Sequence, residues 1–413
     1  MALQVEEMYR LILGIEAPWR IAIVRLDATT SNVHVELEHE EGIRWKCPCC
    51  SQKLPVYDHV AERQWRHLDT CQYETWLHAR IPRVNCPKHG VKQVLVPWAE
   101  PGGRFSILFE THVLEVLEAC QNTTAACRIL GISWDQAWGV MERGVQRGQS
   151  RKRRREIKHV GADEKAFAKG HSYMTIVGDI QNGTVEYVAE DRTKESLAGF
   201  FQGLSDHQRQ SIEAVAVDMH EPYVQAIKEE LPLAENKIVH DRFHVMQHAT
   251  KAVDKTRRQE HKRLQEESDQ RLSKTKYLWL KSQENLTPKD QERFNAAFDL
   301  QLLTAKAWGF KELLRELWEH TTPDEASEFF LNWYRRVIHG KLEPMKNVAR
   351  MIKSRLAQVV SYCQHRITNA VAEGLNSKIM SIKRRAAGFR NKDNFKTAIF
   401  FHCGGLEMRP RPQ

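Results

Sequence analysis

A chain of 413 residues with 41% hydrophobic and 28% charged side chains has apolar material for two or three domains. Its net charge of +9 favours a polyanionic partner. No apolar run approaches the roughly 20 residues that span a bilayer, and Glu6 and Glu7 stand where a secretory leader would be basic and then apolar. The expectation is a protein outside membranes, in a reducing cytoplasm, with nucleic acid as the polyanion. The nine cysteines are odd in number and crowd the first part of the chain, which suits a metal site better than a disulfide framework.

In chain order, alternation in Ile21–Arg25 and Val33–Leu37 predicts a β-hairpin. Cys47-Pro-Cys-Cys50 and Cys86-Pro-Lys-His89 follow. Two residues between ligands let a tight turn aim both side chains at one tetrahedral ion, so Cys47, Cys50, Cys86 and His89 are expected to hold one structural zinc. Cys49 is a rival to Cys47 or Cys50. Residues 1–100 are thus assigned to a hairpin and zinc-binding domain.

Residues 104–145 carry apolar side chains at helical spacing. Within them Thr123–Trp138 has the grammar of a helix-turn-helix: a helix ending at Leu130, Gly131 for the turn, Ile132 packing inward, Ser133 as cap. The second helix, about Trp134 to Arg143, would enter the major groove, with Ser133, Trp134 and Gln136 as candidate DNA contacts. A basic stretch, 146–158, reads as an exposed linker whose Arg151, Arg153 and Arg154 meet phosphates.

From 159 to 244 the pattern is strand-rich, and from 245 to 365 it is helical with tryptophan anchors. The segment 366–413 holds a last helix and a basic tail. Asp163 is expected to close the strand that begins at His159, and Asp218 the strand Ala214–Asp218. Glu373 falls on a helix face with Asn369 and Asn376. Three carboxylates from separate elements suit a pair of divalent ions, Mg²⁺ or Mn²⁺, of the kind that activates a nucleophilic oxygen and stabilises a leaving one. Glu164, Asp179 and Asp241 are rivals, Asp241 most of all, because it too follows a strand.

These blocks together resemble the ISL3 family of bacterial insertion-sequence transposases. The matching residues are Gly161-Ala-Asp-Glu164, Val217-Asp-Met219, Asp241-Arg-Phe-His-Val245, Asn369–Asn376 and Lys383–Asn391. The resemblance runs from about 40 to 400. It implies an α/β catalytic domain of RNase H-like fold (159–244 and 366–413) carrying an all-α insertion, 245–365. It also implies that Asp163, Asp218 and Glu373 are the catalytic metal ligands, with Asp241 and His244 in a motif beside them. On this reading the protein binds double-stranded DNA at the element's terminal inverted repeats, hydrolyses 3′ ends and joins them to target DNA. It would work as a homodimer or larger assembly in the bacterial nucleoid, with Lys383, Arg384 and Arg385 on phosphates. A zinc and helix-turn-helix regulator that never cuts is the alternative.

Overall fold

The computed structural model describes residues 4–411 except 121, 153–154, 169–171, 300 and 368–369; the side chains of 370 and 372 are also left aside. Arg153, Arg154 and Asn369 therefore lie outside the described residues. The chain divides into two compact units, Met1–Arg153 with Ile382–Gln413, and Arg154–Ser381.

The first unit opens with a helix that the alternation did not reveal, α1 (Val5–Leu13), closed by Gly14 in the left-handed conformation. The predicted hairpin follows as β1 (Trp19–Asp27) and β2 (Asn32–His39). Short strands β3 (Trp45–Lys46), β4 (Lys53–Leu54) and β5 (Asp58–His59) lead to β6 (Arg63–Thr70), β7 (Tyr73–Ala79), β8 (Pro82–Cys86) and β9 (Gly90–Gln93). They form a four-stranded sheet β1-β2-β7-β6, the pair β3-β4 and a three-stranded sheet β5-β8-β9. Trp19, Trp65 and Trp98 interlock in edge-to-face contacts, with Trp45 tilted against Trp19. All four are buried, which gives this small module a core dominated by large aromatic area.

Helices α2 (Ile107–Cys120), α3 (Thr123–Leu130) and α4 (Trp134–Arg151) complete the amino-terminal part. The turn has the predicted chemistry. Gly131 sits at φ 65°, where a side chain would be strained, and Ser133 and Gln136 cap α4 reciprocally. α4 runs past Arg143 to Arg151, so the first part of the expected linker is helix. The reason is a set of anchors on its later turns. Arg143 and Arg147 pair with buried Glu110 at 2.7 and 2.9 Å, and Arg147 Nε donates to the Met408 carbonyl. The carboxy-terminal helix α16 (Lys392–Cys403) and the tail after it pack on α4, seating at two glycines. A Cβ at Gly148 would lie 2.6 Å from Leu406 Cβ, and one at Gly144 2.9 Å from Leu114.

The second unit contains one five-stranded sheet built from β10 (His159–Ala168), β11 (Ser172–Asp179), β12 (Thr184–Glu190), β13 (Ala214–Val217) and β14 (Ile238–His240), in the order β12-β11-β10-β13-β14. β10 to β12 are antiparallel neighbours, whereas β10, β13 and β14 run parallel. α5 (Lys194–Gln202) and α7 (Glu221–Glu230) cover one face, with the short α6 (Asp206–Ser211) between them in sequence. Val215 and Val217 point into that layer with Leu197, Phe201 and Ile227. The alternate residues Ala214 and Ala216 belong to the other core, with α8 (Arg242–Glu266). That core continues through α9 (Lys276–Leu280), α10 (Pro288–Ala297), α11 (Leu303–Arg315), α12 (Pro323–Ile338), α13 (Glu343–Lys353) and α14 (Leu356–His365). Buried Trp279, Trp318 and Trp333 anchor it, as the helical periodicity predicts. α15 (Ala370–Arg385) follows, its residues from Ile382 grouping with the first unit. No described helix is long and apolar enough to cross a membrane.

Gly148 tests the seating of the tail on α4. Gly148→Ala forces a methyl against the Leu406 side chain and is expected to destabilise the first unit by about 1–3 kcal/mol. A lower urea midpoint of the unfolding step monitored by tryptophan fluorescence would report this. An unchanged midpoint would mean that the tail does not pack there.

Candidate functional site

Parallel register gathers the acids. Ala162 pairs with Val217 and Val217 with His240, so the next residues, Asp163, Asp218 and Asp241, stand beside one another on three adjacent strands. This corrects one expectation. Asp163 does not close its strand but lies in the middle of β10, because the antiparallel pairing to β11 continues to Ala168. The pairing of β10 with β13 ends at Ala162, one residue before Asp163. Asp218 does follow the last residue of its strand, where its carboxylate accepts from the His220 N–H at 3.0 Å.

Around Asp163 the contacts are specific. Its carboxylate accepts from Lys165 Nζ at 3.1 Å and from the side-chain amide of buried Asn376 on α15. Leu375 and Val371 of the same helix lie over Gly178, where an added Cβ would meet Leu375 at 3.0 Å. Glu373 is exposed one turn before Asn376, on the neighbouring face of α15. Lys165 escaped the sequence reading. The period of two, which places residues 163 and 165 on one face of the strand, was the signal for it.

The rivals separate on geometry. Asp179 is 1% exposed, and its carboxylate is consumed by the Gln181 and Asn182 N–H groups and by Arg155 at 3.0 Å. Asp241 caps α8 through the Phe243 N–H and lies 3.3 Å from His244, whose pKa it raises. The charges of Asp218 and Asp163 push His244 in the same direction. Glu164 faces the opposite layer. Burial first, then the charges of Asp218 and Asp163, raise its carboxyl above the ordinary range. Its Oε2, His220 Nδ1 and His240 Nε2 are buried without a hydrogen-bond partner among the described residues. Aspartates brought side by side in this way are suited to cations.

The second candidate centre is in the first unit. Among the described residues, Cys47, Cys50, Cys86 and His89 form the one group whose ligand atoms all lie within 4.8 Å of one another. Sγ of Cys50 and Cys86 are 3.7 Å apart, and His89 Nδ1 is 3.5 Å from Cys86 Sγ and 3.8 Å from Cys47 Sγ. A tetrahedral zinc with bonds of about 2.3 Å to sulfur has edges of about 3.8 Å, so the donor set fits that ion. Cys49 is exposed and outside the group. Burial disfavours the Cys47 thiolate, but the N–H groups of Cys49 and Cys50 and the thiols beside it prevail and bring the thiol down to about 6.

The nucleic-acid candidates divide. Ser133 and Gln136 sit on one side of α4 with Arg143, their side chains engaged in the cap. Trp134 and Trp138 lie on another side, stacked at 5.1 Å and 3°. Arg151 donates to the Arg409 carbonyl at 2.6 Å, and Arg155 is held by Asp179 and Glu186, so these two residues are part of the folded surface and not of a free linker. Arg384 and Arg385 are exposed at the end of α15 with Lys383 half-buried beside them.

Comparison with known proteins adds three family matches and named relatives. A profile described as "Transposase", of the DDE type in the ISL3 group, matches residues 160–399. One described as "zinc-finger of transposase IS204/IS1001/IS1096/IS1165" matches 43–89, and "Helix-turn-helix domain of transposase family ISL3" matches 94–145. The chain is 26% identical to the transposase for insertion sequence element IS1557 of Mycobacterium tuberculosis, over 93% of this chain and 92% of that protein. It is 24% identical to the transposase for insertion sequence element IS1001 of Bordetella parapertussis, over 84% and 86%.

Protein purified without chelator is expected to carry about one zinc per chain, measured by inductively coupled plasma spectrometry. Cys86→Ser should release it and lower the unfolding temperature of the first unit. Zinc retained by the variant would remove Cys86 from the ligand set.

Proposed function

From its place in the ISL3 family of transposases, to which this chain belongs, we propose that the protein cuts and joins DNA at Asp163, Asp218 and Glu373. The observation that carries this reading is the contact of Asn376 with Asp163, because it brings the Glu373 turn of α15 against the sheet that bears the aspartates. The strand order, with an antiparallel triplet followed by two parallel strands, supports an RNase H-like catalytic domain interrupted by the helical segment 245–365.

Two Mg²⁺ or Mn²⁺ ions would supply Lewis acidity and activation of the attacking oxygen, first of water and then of a 3′-hydroxyl. The carboxylates of Asp163, Asp218 and Glu373 would hold them. Asn376 orients the Asp163 carboxylate, and Lys165 balances its charge until a cation takes that place. Asp241 and His244 fix the start of α8 beside Asp218.

The first unit binds the terminal inverted repeats of the element. One zinc on Cys47, Cys50, Cys86 and His89 staples the module that carries the helix-turn-helix. Lys383, Arg384 and Arg385 hold phosphates without reading sequence. Two ends must be processed, so a homodimer or larger assembly on bacterial DNA is the working form. The regulator that never cuts is disfavoured, because it gives no role to a sheet that sets Asp163, Asp218 and Asp241 side by side.

Asp163→Asn, Asp218→Asn and Glu373→Gln are each expected to lower Mg²⁺-dependent cleavage and joining of the element's ends by on the order of 10²-fold or more. Binding of the same ends, followed by gel shift, should change by no more than about twofold. Full cleavage by any one variant would remove that residue from the triad.

A further inference from the structure

The first unit contains a cleft of about 380 Å³ that the catalytic reading does not use. One wall is the start of α4, with Trp134 and Trp138. The other is the turn after α15, with Arg385 and Arg390, backed by Asn394 and His402 on α16. Ala387 and Gly388 bend that turn at positive φ. Its volume lies in the range of small-ligand sites.

The chemistry of the walls is uniform. No aspartate or glutamate lines the cleft among the described residues. Arg385 and Arg390 are exposed, and no ion pair to either occurs among the described residues. Trp134 keeps 45% of its surface exposed while its ring lies parallel to that of Trp138. An exposed indole on an ordered aromatic partner offers a flat apolar surface, and the guanidinium groups of the same cleft offer charge for an anion.

A base pair within a duplex shows its edges to protein, and its faces are covered by its neighbours. A site built from ring faces therefore requires a nucleotide that has left the stack. We infer that this cleft holds one unpaired nucleotide of a DNA strand, its base on Trp134 and its phosphates on Arg385 and Arg390. Trp134 then serves strand capture on one side of α4, while Ser133 and Gln136 occupy the side that faces away from the cleft. The inference rests on the reading that the first unit binds DNA.

The test uses full-length protein and four probes: a duplex of the element's end, that duplex with a short 3′ tail of unpaired thymidines, the tailed duplex with abasic tail positions, and thymidine monophosphate. Binding is followed by tryptophan quenching and anisotropy. The thymidine tail should bind about tenfold more tightly than the abasic tail. Trp134→Ala should abolish that difference, Trp134→Phe should keep most of it, and Arg390→Gln should weaken both tailed probes together. Equal affinity of the wild type for thymidine and abasic tails would overturn the proposal, as would an equal loss on both tails in Trp134→Ala. Monophosphate binding as tight as the thymidine tail would mark a site for free nucleotides and overturn it too. If the plain duplex binds and the tail adds nothing, the cleft alone fails; if the plain duplex does not bind, the DNA-binding reading beneath it fails.

Discussion

Like charges must be brought together at the edge of the second unit's sheet, and the rest of the fold is arranged to tolerate it. Asp163 within β10, and Asp218 and Asp241 just after β13 and β14, stand at one level. Backbone N–H groups absorb part of the cost: His220 donates to Asp218, Phe243 to Asp241 and Glu164 to Asp163. Lys165 and Asn376 meet the remaining oxygen of Asp163. Glu164, turned to the other face, lies 3.7 Å from Arg192, yet burial and the charges of Asp218 and Asp163 prevail and raise it. A carboxyl whose folded-state pKa lies above its unfolded value binds its proton more tightly when folded. The fold therefore loses stability as pH rises past the ordinary carboxyl range.

The sheet makes this possible through alternating side-chain size. Val215 and Val217 fill the layer under α5 and α7, whereas Ala214 and Ala216 face the helical core. On β10 and β11 the paired Gly161 and Gly178 continue the shallow face, and α15 settles on it close enough for Asn376 to reach Asp163. Larger residues at these positions would lift the helix and separate Asn376 from Asp163.

Much of this was legible in the sequence because short-range chemistry dictates it. The C-x2-C and C-x2-H pairs, the Leu130-Gly131-Ile132-Ser133 turn and the β1–β2 hairpin each depend on residues close in the chain. The strand-end position of Asp218 followed from the run Ala214–Val217. Long-range pairing was not legible. Asp163 looked terminal because its parallel partner stops there, yet nothing nearby showed that β11 would extend β10 to Ala168. The basic stretch after Arg143 read as a linker because its partners, Glu110 and the Met408 and Arg409 carbonyls, are distant in sequence. Asp179 could be set aside only when its turn and Arg155 were seen to occupy it.

The carboxy-terminal segment ties the order of synthesis to the completion of the DNA-binding unit. α4 presents Gly144 and Gly148 to a surface that Met408 and Leu406 fill, and Arg147 donates to the Met408 carbonyl. Phe395, Ile399 and Phe401 of α16 are buried within a unit that joins Ile382–Gln413 to the first 153 residues. An amino-terminal fragment emerging from the ribosome has the zinc module and the helix-turn-helix, but its α4 still exposes the groove and leaves the far side of Arg147 unpaired. The surface of α4 is therefore complete only once residues 392–408, which follow Asp163, Asp218 and Glu373 in the chain, are present. A chain cut short before residue 382 lacks both α16 and the turn at Ala387 and Gly388 that lines the Trp134 cleft.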